Sequence, residues 1–432
     1  MTEGIKLFGV AGNPVMHSKS PAIFNGLFKD RGINARYIKI AARSPREIIG
    51  LFHDLGFSGI NVTAPFKNSM VPLISSSSED VIKTGSLNTI VKGEHGIYSF
   101  NTDHYGATES LKKYAGTLAG KKALVVGAGG AGISAAYGLA KEGAHATIIN
   151  RTMDKAERAA KLTGSAFDST NNLQQLIAEA QIIVITLPYE AEPVDISGIR
   201  AGSILLDASY KNSHYREIAG EMGLTFIDGR EWLINQAIPA CEHFLGFRPE
   251  YWEMEKSLNG ANKEKGIISL IGFMGCGKST AGKLLAESLG YEFIDSDAEI
   301  EKSIGMPVER IFSECGESAF RELEKKILLS LKGRKNLVLS CGGGAVIDNE
   351  NREFLKYSTA CFWLYSSLET SIERINDRSR PLLNTGNPLA AARELFSKRR
   401  DLYADASDVL VSSDMEPEKI MELIHEEIRL SL

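Results

Sequence analysis

The chain has 432 residues, 43% of them apolar, and a formal net charge of −5. Domains cluster at about 100–200 residues, so this length exceeds one hydrophobic core and calls for at least two folding units. The mild negative charge and the lack of a Lys/Arg-rich run offer no field to a polyanion, so nucleic acid is not an expected partner.

The opening residues, Met1-Thr-Glu-Gly-Ile-Lys-Leu-Phe-Gly9, lack the basic region and the apolar core of about 7–15 residues that mark a signal peptide. No unbroken apolar span reaches about 18 residues. A soluble, cytoplasmic protein with no membrane partner is expected. The five cysteines, Cys241, Cys276, Cys315, Cys341 and Cys361, are scattered without zinc spacing, which fits reduced thiols.

Short apolar runs alternate with helical patterns along the chain, at 6–10, 37–40, 59–62, 123–126, 145–149, 182–185 and 204–207. That rhythm predicts α/β units with largely parallel sheets. The serine run 75–78 reads as a loop tip. A polar, glycine-containing stretch at 114–122 marks a boundary near residue 118, and the polar stretch 257–266 reads as a flexible linker.

Three segments ahead of residue 118 carry chemistry: Asn13-Pro-Val-Met-His-Ser18-Lys-Ser20-Pro21, Asn61-Val-Thr63-Ala-Pro65-Phe-Lys67 and Asn101-Thr-Asp103. Each follows a short apolar run, where an α/β sheet opens its ligand crevice. Helix capping is the plain alternative for Ser20 before Pro21 and for Asp103. As a set, the hydroxyls and amide of Ser18, Ser20, Thr63 and Asn88 suit a small polyhydroxylated ligand. Lys67 and Asp103 supply an ammonium and a carboxylate able to protonate a ketone oxygen during hydride delivery.

Residues Gly127-Ala128-Gly129-Gly130-Ala131-Gly132 follow a strand and open a helix, as a pyrophosphate seated on a helix N-terminus requires. Glycine pairs also mark tight helix–strand packing, but the strand–loop–helix context favours a dinucleotide. The next strand ends in Asn150-Arg151-Thr152, with Lys155 beyond, where an NAD site places an acidic residue. Arginine there suits a 2′-phosphate, so NADP is expected rather than NAD; the alternative for Arg151 is a solvated strand-end charge.

These blocks, with Gly-x-x-Asn-Thr around Asn88, closely resemble the shikimate dehydrogenase family from residue 1 to about 256. The resemblance implies that Lys67 and Asp103 form the catalytic pair and that Ser18, Ser20, Thr63, Asn88 and Gln236 hold substrate. It also implies that Tyr210 lies over the substrate and that Gly229 touches the nicotinamide region. The stretches 185–193 and 210–215 depart from the family pattern.

A second phosphate loop, Gly272-Phe-Met-Gly275-Cys276-Gly277-Lys278-Ser279-Thr280, follows a strand and opens a helix. Its backbone amides surround phosphates, Lys278 reaches the β and γ groups, and Ser279 ligates Mg2+. A following strand ends in Asp295-Ser-Asp297, with one carboxylate for magnesium and one for an acceptor hydroxyl; capping the next helix is the alternative for Asp297. Gly342-Gly343-Gly344 frees backbone amides, and Arg321, Arg380 and Arg399 offer guanidinium groups for a carboxylate or phosphate, or a solvated helix face for Arg399.

From Gly272 onward the chain resembles shikimate kinase, through Phe-Ile-Asp-Ser-Asp, Phe320-Arg-Glu-Leu-Glu324, Gly-Gly-Gly, Arg380-Pro-Leu-Leu383 and Arg399-Arg-Asp-Leu-Tyr403. The resemblance implies that Asp297, Arg321, Gly343, Gly344 and Arg399 hold shikimate and that Arg380 sits on a lid over ATP. Asp401 stands where a proline is common.

The expected organisation is a substrate-binding α/β domain over 1–118 completed by helices at about 232–256, a Rossmann NADP-binding domain over 119–231, a linker at 257–266, and a P-loop kinase α/β domain with a parallel sheet over 267–432. The expected function is NADPH-dependent reduction of 3-dehydroshikimate and ATP-dependent phosphorylation of the resulting shikimate, two steps of chorismate and aromatic amino-acid biosynthesis. The rivals are a quinate-selective first site and a metabolite-sensing protein with one inactive half; the complete set Lys67, Asp103, Lys278 and Asp297 argues against the second.

Overall fold

A computed structural model describes residues 4–209, 213–259, 265–375 and 387–429. The chain divides into two units, one comprising residues 1–21, 28–58 and 260–432 and the other residues 22–27 and 59–259.

The second unit contains a six-stranded sheet in the order Thr225–Ile227, Ile204–Asp207, Ile182–Ile185, Lys122–Val126, His145–Ile149, Ala166–Asp168, with every neighbour parallel. This is the doubly wound order, and its switch point lies beside Lys122–Val126, the strand that runs into the first glycine-rich loop. Alternate residues of that strand enter different cores. Ala123 and Val125 pack with Ala135, Ala136 and Leu139 on one face, and Leu124 and Val126 with Ile177, Ile183 and Leu205 on the other. Burial on both faces is why these strands read as continuous apolar runs.

A second set of strands, in this unit from Gly59 on, runs in the order Phe57–Val62, Thr89–Gly93, Gly96–Phe100, Ser76–Ser77. Its first three members are antiparallel neighbours, and the second and third are joined through a turn at Gly96, whose φ of 127° favours glycine. The sheets are otherwise parallel, as expected, and these antiparallel pairs are the exception. The helix Gly229–Leu245 packs closely on Asp103–Ala115 because Gly106 has no side chain: a Cβ there would lie 2.5 Å from Trp232 Cδ1.

The first unit holds a parallel sheet in the order Glu292–Asp295, Leu337–Ser340, Ile267–Ile271, Thr359–Tyr365, Val409–Ser412, Ala35–Ala41, Lys6–Gly12. Strands from the two ends of the chain thus share one sheet, with Val409 opposite Lys39 and Val411 opposite Ala41. All residues of Ile267–Ile271 and Thr359–Tyr365 are buried, as central parallel strands covered on both faces must be. No helix among the described residues is long and apolar enough to cross a membrane.

Candidate active sites

In the second unit, Lys67 follows the strand Phe57–Val62 and Asp103 opens the helix Asp103–Ala115. Lys67 Nζ lies 2.5 Å from Asp103 Oδ2, and the Asp103 side chain is 3% exposed against 19% for Lys67. The other oxygen of Asp103 accepts Asn88 Nδ2 at 2.9 Å. Asn88 is itself fixed, because its Oδ1 accepts the Thr102 amide at 2.8 Å. Asn101 accepts the Asp103 amide at 3.0 Å and donates to Ser134 Oγ at 2.9 Å. The Asp103 carboxylate is spent on Lys67 and Asn88, so the capping alternative does not account for it. Thr63, directly after the strand, accepts the Phe66 amide through its carbonyl at 3.0 Å, and Lys67 accepts the Leu87 amide at 2.9 Å. Gln236 lies on Gly229–Leu245, with its Cβ 2.9 Å from where a Cβ of Gly106 would stand, one turn along the helix from Asp103.

The glycine-rich loop reaches the lysine. A Cβ at Gly130 would lie 3.5 Å from Lys67 Cδ and 3.2 Å from Ser86 Oγ. Gly127 has a φ of 110°, and a Cβ on Gly132 would meet the Gly127 carbonyl oxygen at 2.0 Å, so both positions demand glycine. Gly129 precedes the helix Gly130–Lys141, whose first turn includes Ala131. Asn150 Oδ1 accepts the Ala128 amide at 3.3 Å, tying the end of the next strand to the loop. Arg151, Thr152 and Lys155 are exposed around it. Loop, helix N-terminus and exposed arginine fit a dinucleotide with a 2′-phosphate. Gly229 opens its helix against Ala208 and Ser209, with its amide donating to the Ser209 carbonyl at 3.2 Å.

The divergent stretch 185–193 has its own packing. Tyr189 stacks on His214 with ring centroids 4.2 Å apart, and the Tyr215 hydroxyl accepts the Val194 amide at 2.9 Å. Burial pushes the nearby Asp207 carboxyl up, with bonds from Ser213 and Ser209 opposing. Tyr210 lies outside the described residues.

Ser18 and Ser20 belong to the first unit. The Ser18 amide donates to the Val15 carbonyl at 2.9 Å and the Ser20 amide to Ser18 Oγ at 3.4 Å. Ser20 begins the helix Ser20–Asp30, and its side chain is hydrogen-bonded to the buried Tyr37 hydroxyl.

The phosphate loop of the first unit lines a cleft of about 830 Å³ with Gly275, Gly277, Lys278, Ser279, Thr280, Asp295, Asp297 and the segment 340–343. Gly275 and Gly277 have φ of 80° and 86°, and Cys276 is buried beneath them. Lys278 Nζ is held by the carbonyls of Gly272 and Phe273, each at 3.0 Å. Ser279 Oγ donates to Asp295 Oδ2 at 2.6 Å. Among the described residues no cluster of three or more His, Cys, Asp or Glu side chains surrounds a metal position. A hydroxyl and one carboxylate beside a phosphate loop fit Mg2+, which keeps waters and substrate phosphates as its other ligands. Asp295 Oδ1 also accepts the amides of Asp297 and Ala298, at 3.1 and 3.4 Å. Asp295 therefore caps the helix Ser296–Ile304, and the capping alternative for Asp297 falls away.

Asp297 faces the glycine triplet. A Cβ at Gly342 would lie 2.5 Å from Asp297 Oδ1 and 2.9 Å from Glu324 Oε1, and one at Gly344 would lie 2.3 Å from Arg321 Nη2. The Gly343 carbonyl accepts Arg399 Nη1 at 3.1 Å and the Tyr403 hydroxyl at 2.5 Å. Arg399 is 4% exposed, so it is no solvated face. Arg321 pairs with Glu324 at 2.7 Å and Glu317 at 3.0 Å; burial works against its charge, but the two carboxylates raise its pKa. Burial pushes the Glu324 carboxyl up to about 7, with Arg321 opposing and Asp297 adding to the rise. Ser296 Oγ accepts the Gly342 amide at 2.9 Å and Ser340 Oγ lies 3.2 Å from Ser279 Oγ; these braces, like Asn101 and Glu324, carried no sequence signal beyond proximity to the motifs. Arg380 lies outside the described residues.

A dinucleotide loop beside a lysine–aspartate pair, and a triphosphate loop beside paired carboxylates and arginines, define an oxidoreductase joined to a phosphotransferase. Residues 10–90 match the shikimate dehydrogenase substrate binding domain, 109–194 match shikimate / quinate 5-dehydrogenase, and 274–429 match shikimate kinase. A shikimate dehydrogenase (NADP(+)) from Pyrococcus furiosus is 35% identical over 248 residues, covering 56% of this chain and 90% of the relative. A shikimate kinase from Persephonella marina is 49% identical over 148 residues, covering 34% of this chain and 88% of the relative. The crystal structure of shikimate dehydrogenase from Aquifex aeolicus is similar with a TM-score of 0.56 and 32% identity, covering 59% of this chain and 98% of that one. The chain belongs to the shikimate dehydrogenase family in its N-terminal part and to the shikimate kinase family in its C-terminal part.

Proposed function

We propose that this chain reduces 3-dehydroshikimate to shikimate and then phosphorylates the 3-hydroxyl of shikimate, two consecutive steps of chorismate biosynthesis. Lys67 and Asp103 carry the assignment: they form a 2.5 Å pair, and the dinucleotide loop runs so near the lysine stem that a Cβ added at Gly130 would lie 3.5 Å from Lys67 Cδ. We assign the substrate-binding part to residues 1–118 with about 232–256, the NADP-binding part to 119–231, the linker to 257–266 and the kinase to 267–432. A cytoplasmic setting, where both nucleotides are abundant, goes with this reading.

At the first site, bound NADPH supplies hydride to the ketone carbon. Lys67 Nζ gives its proton to the developing alkoxide, while Asp103, itself held by Asn88, orients the ammonium. Thr63, Asn88, Gln236, Ser18, Ser20 and Tyr210 are assigned to the substrate's hydroxyls and carboxylate. Gly127, Gly129, Gly130, Ala131 and Gly132 hold the pyrophosphate, Asn150, Arg151, Thr152 and Lys155 the adenosine phosphate, and Gly229 lies by the nicotinamide.

At the second site, magnesium neutralises charge on the transferred phosphate. The amides of Gly275, Cys276, Gly277, Ser279 and Thr280 with Lys278 hold the phosphate chain, and Ser279 and Asp295 hold the metal. Asp297 orients the acceptor hydroxyl and accepts its proton. Arg321, Arg399 and the amides of Gly343 and Gly344 hold shikimate, and Arg380 closes over ATP.

Incubation with 3-dehydroshikimate, NADPH and Mg-ATP should yield shikimate 3-phosphate, with shikimate accumulating when ATP is omitted. Failure to form the phosphate from added shikimate would remove the kinase assignment. Faster turnover of quinate than of shikimate in the reverse assay would move the first site to quinate. Arg151→Ala should raise the KM for NADPH by roughly tenfold, from loss of a charge-assisted contact to the 2′-phosphate, and leave that for NADH nearly unchanged. Equal changes for both cofactors would take Arg151 out of the site.

A further inference from the structure

The helix Pro417–Arg429, at the end of the kinase sequence, buries Ile420, Leu423, Ile424 and Ile428 along one stripe. Glu427 lies in the same stripe and is fully buried. A carboxylate in an apolar seam is costly unless its oxygens are satisfied. Here they are met by the other end of the chain. Both oxygens of Glu427 lie 3.0 Å from the Val15 amide, and Oε2 accepts the Met16 amide at 2.6 Å. The carbonyl of Met16 accepts Lys39 Nζ at 2.5 Å. The Met16 residue is thus gripped on its amide side by Glu427 and on its carbonyl side by Lys39. Burial pushes the Glu427 carboxyl up, and the Val15 and Met16 amides and the Lys39 charge oppose that rise.

Two residues beyond Met16 the chain turns through the bond from the Ser18 amide to the Val15 carbonyl, and Ser18 Oγ then accepts the Ser20 amide. The backbone that Glu427 holds therefore sets where Ser18 and Ser20 stand. A neighbouring contact has the same character. Asp401, where the kinase family commonly has proline, accepts the Ile5 amide at 3.0 Å, and Arg400 donates to the carbonyls of Ile5 and Leu55, each at 3.1 Å. Proline at 401 has no side-chain acceptor for that amide.

We propose that Glu427, carried by the kinase sequence, is a positioning residue for ketone reduction: by binding the Val15 and Met16 amides it fixes the segment that presents Ser18 and Ser20 to 3-dehydroshikimate. The proposal rests on the assignment of those two serines to the substrate. Removing the carboxylate leaves two amides without this acceptor and frees the turn, which weakens substrate binding more than it slows the chemical step.

The test uses the full-length chain and follows both activities. Glu427→Ala is expected to raise the KM for 3-dehydroshikimate by roughly tenfold or more, the scale of losing charge-assisted bonds, with kcat and the KM for NADPH changed far less. Glu427→Gln, whose amide oxygen still accepts one amide, should fall between Glu427→Ala and the unsubstituted chain. The kinase KM values for shikimate and ATP should be unchanged in both, which also reports that the variants fold. An unchanged KM for 3-dehydroshikimate in Glu427→Ala with full kinase turnover overturns the proposal. A parallel loss of both activities in both variants does so too, since it marks a merely structural role. Ser18→Ala, measured alongside, should raise the same KM; if it does not while Glu427→Ala does, the serine assignment fails rather than the coupling.

Discussion

Lys67→Ala is expected to lower kcat for reduction of 3-dehydroshikimate by about 10²–10⁴-fold, the usual contribution of a positioned general acid. Among the described residues no other ammonium stands in for it in the bonds around Asp103, whose two oxygens are occupied by Lys67 and Asn88. The substitution also leaves the buried Asp103 without its cation, so some loss of stability accompanies the loss of rate. Phosphorylation of shikimate should be unaffected, because Lys278, Asp297 and Arg399 belong to the other unit. Steady-state assays of both reactions on one preparation give the result directly, and equal loss of both activities in a folded variant would contradict the assignment of two independent chemistries.

Asp297→Asn should reduce phosphoryl transfer by roughly 10²–10⁴-fold at saturating ATP, because the amide retains shape and hydrogen-bonding reach but cannot take the proton of the attacking hydroxyl. Its KM for ATP should change little. Asp295→Asn is expected to behave differently, with a defect that added magnesium partly relieves, since Asp295 meets Ser279 Oγ at the proposed metal position. Asp295 also caps the helix that carries Asp297, so its substitution should lower thermal stability by the cost of a lost cap, about 1 kcal/mol. Normal reduction of 3-dehydroshikimate in both variants controls for misfolding. Wild-type kinase rates in Asp297→Asn would remove that residue from the chemistry.

Both phosphate loops were legible because their requirement is local. A backbone that wraps phosphate after a strand needs glycine at fixed offsets. The structure gives the reason at single residues: Gly127, Gly275 and Gly277 have positive φ, and a Cβ on Gly132 would collide with the Gly127 carbonyl. The buried strands were legible for an equally simple reason, since residues covered on both faces of a parallel sheet are apolar without interruption.

The strands Thr89–Gly93, Gly96–Phe100 and Ser76–Ser77 escaped detection because they are short and polar residues share their buried positions, Thr89 with Ile90 and Ser99 with Ile97, while Ser76 and Ser77 are only half-buried. Thr89 and Ser99 are both fully buried. Ser77 and Ser99 are satisfied by each other at 2.8 Å. A serine run that reads as a loop tip is thereby part of a sheet, through a partner that no local pattern announces.

The sequence by itself determined the chemistry that local backbone geometry and residue type can encode: two phosphate loops, the Lys67 and Asp103 segments, and the carboxylates of Asp295 and Asp297. Tertiary structure alone decided that Asp295 and not Asp297 caps the helix Ser296–Ile304, how Asn88 braces Asp103, and how Arg321, Glu324 and Asp297 gather around the glycine triplet. It alone also joined Glu427 to Val15 across 412 positions of chain. Hydrogen-bond partners of buried polar groups are chosen by the packing of distant elements, and an isolated glutamate in an apolar helical stripe carries no record of which amides will meet it.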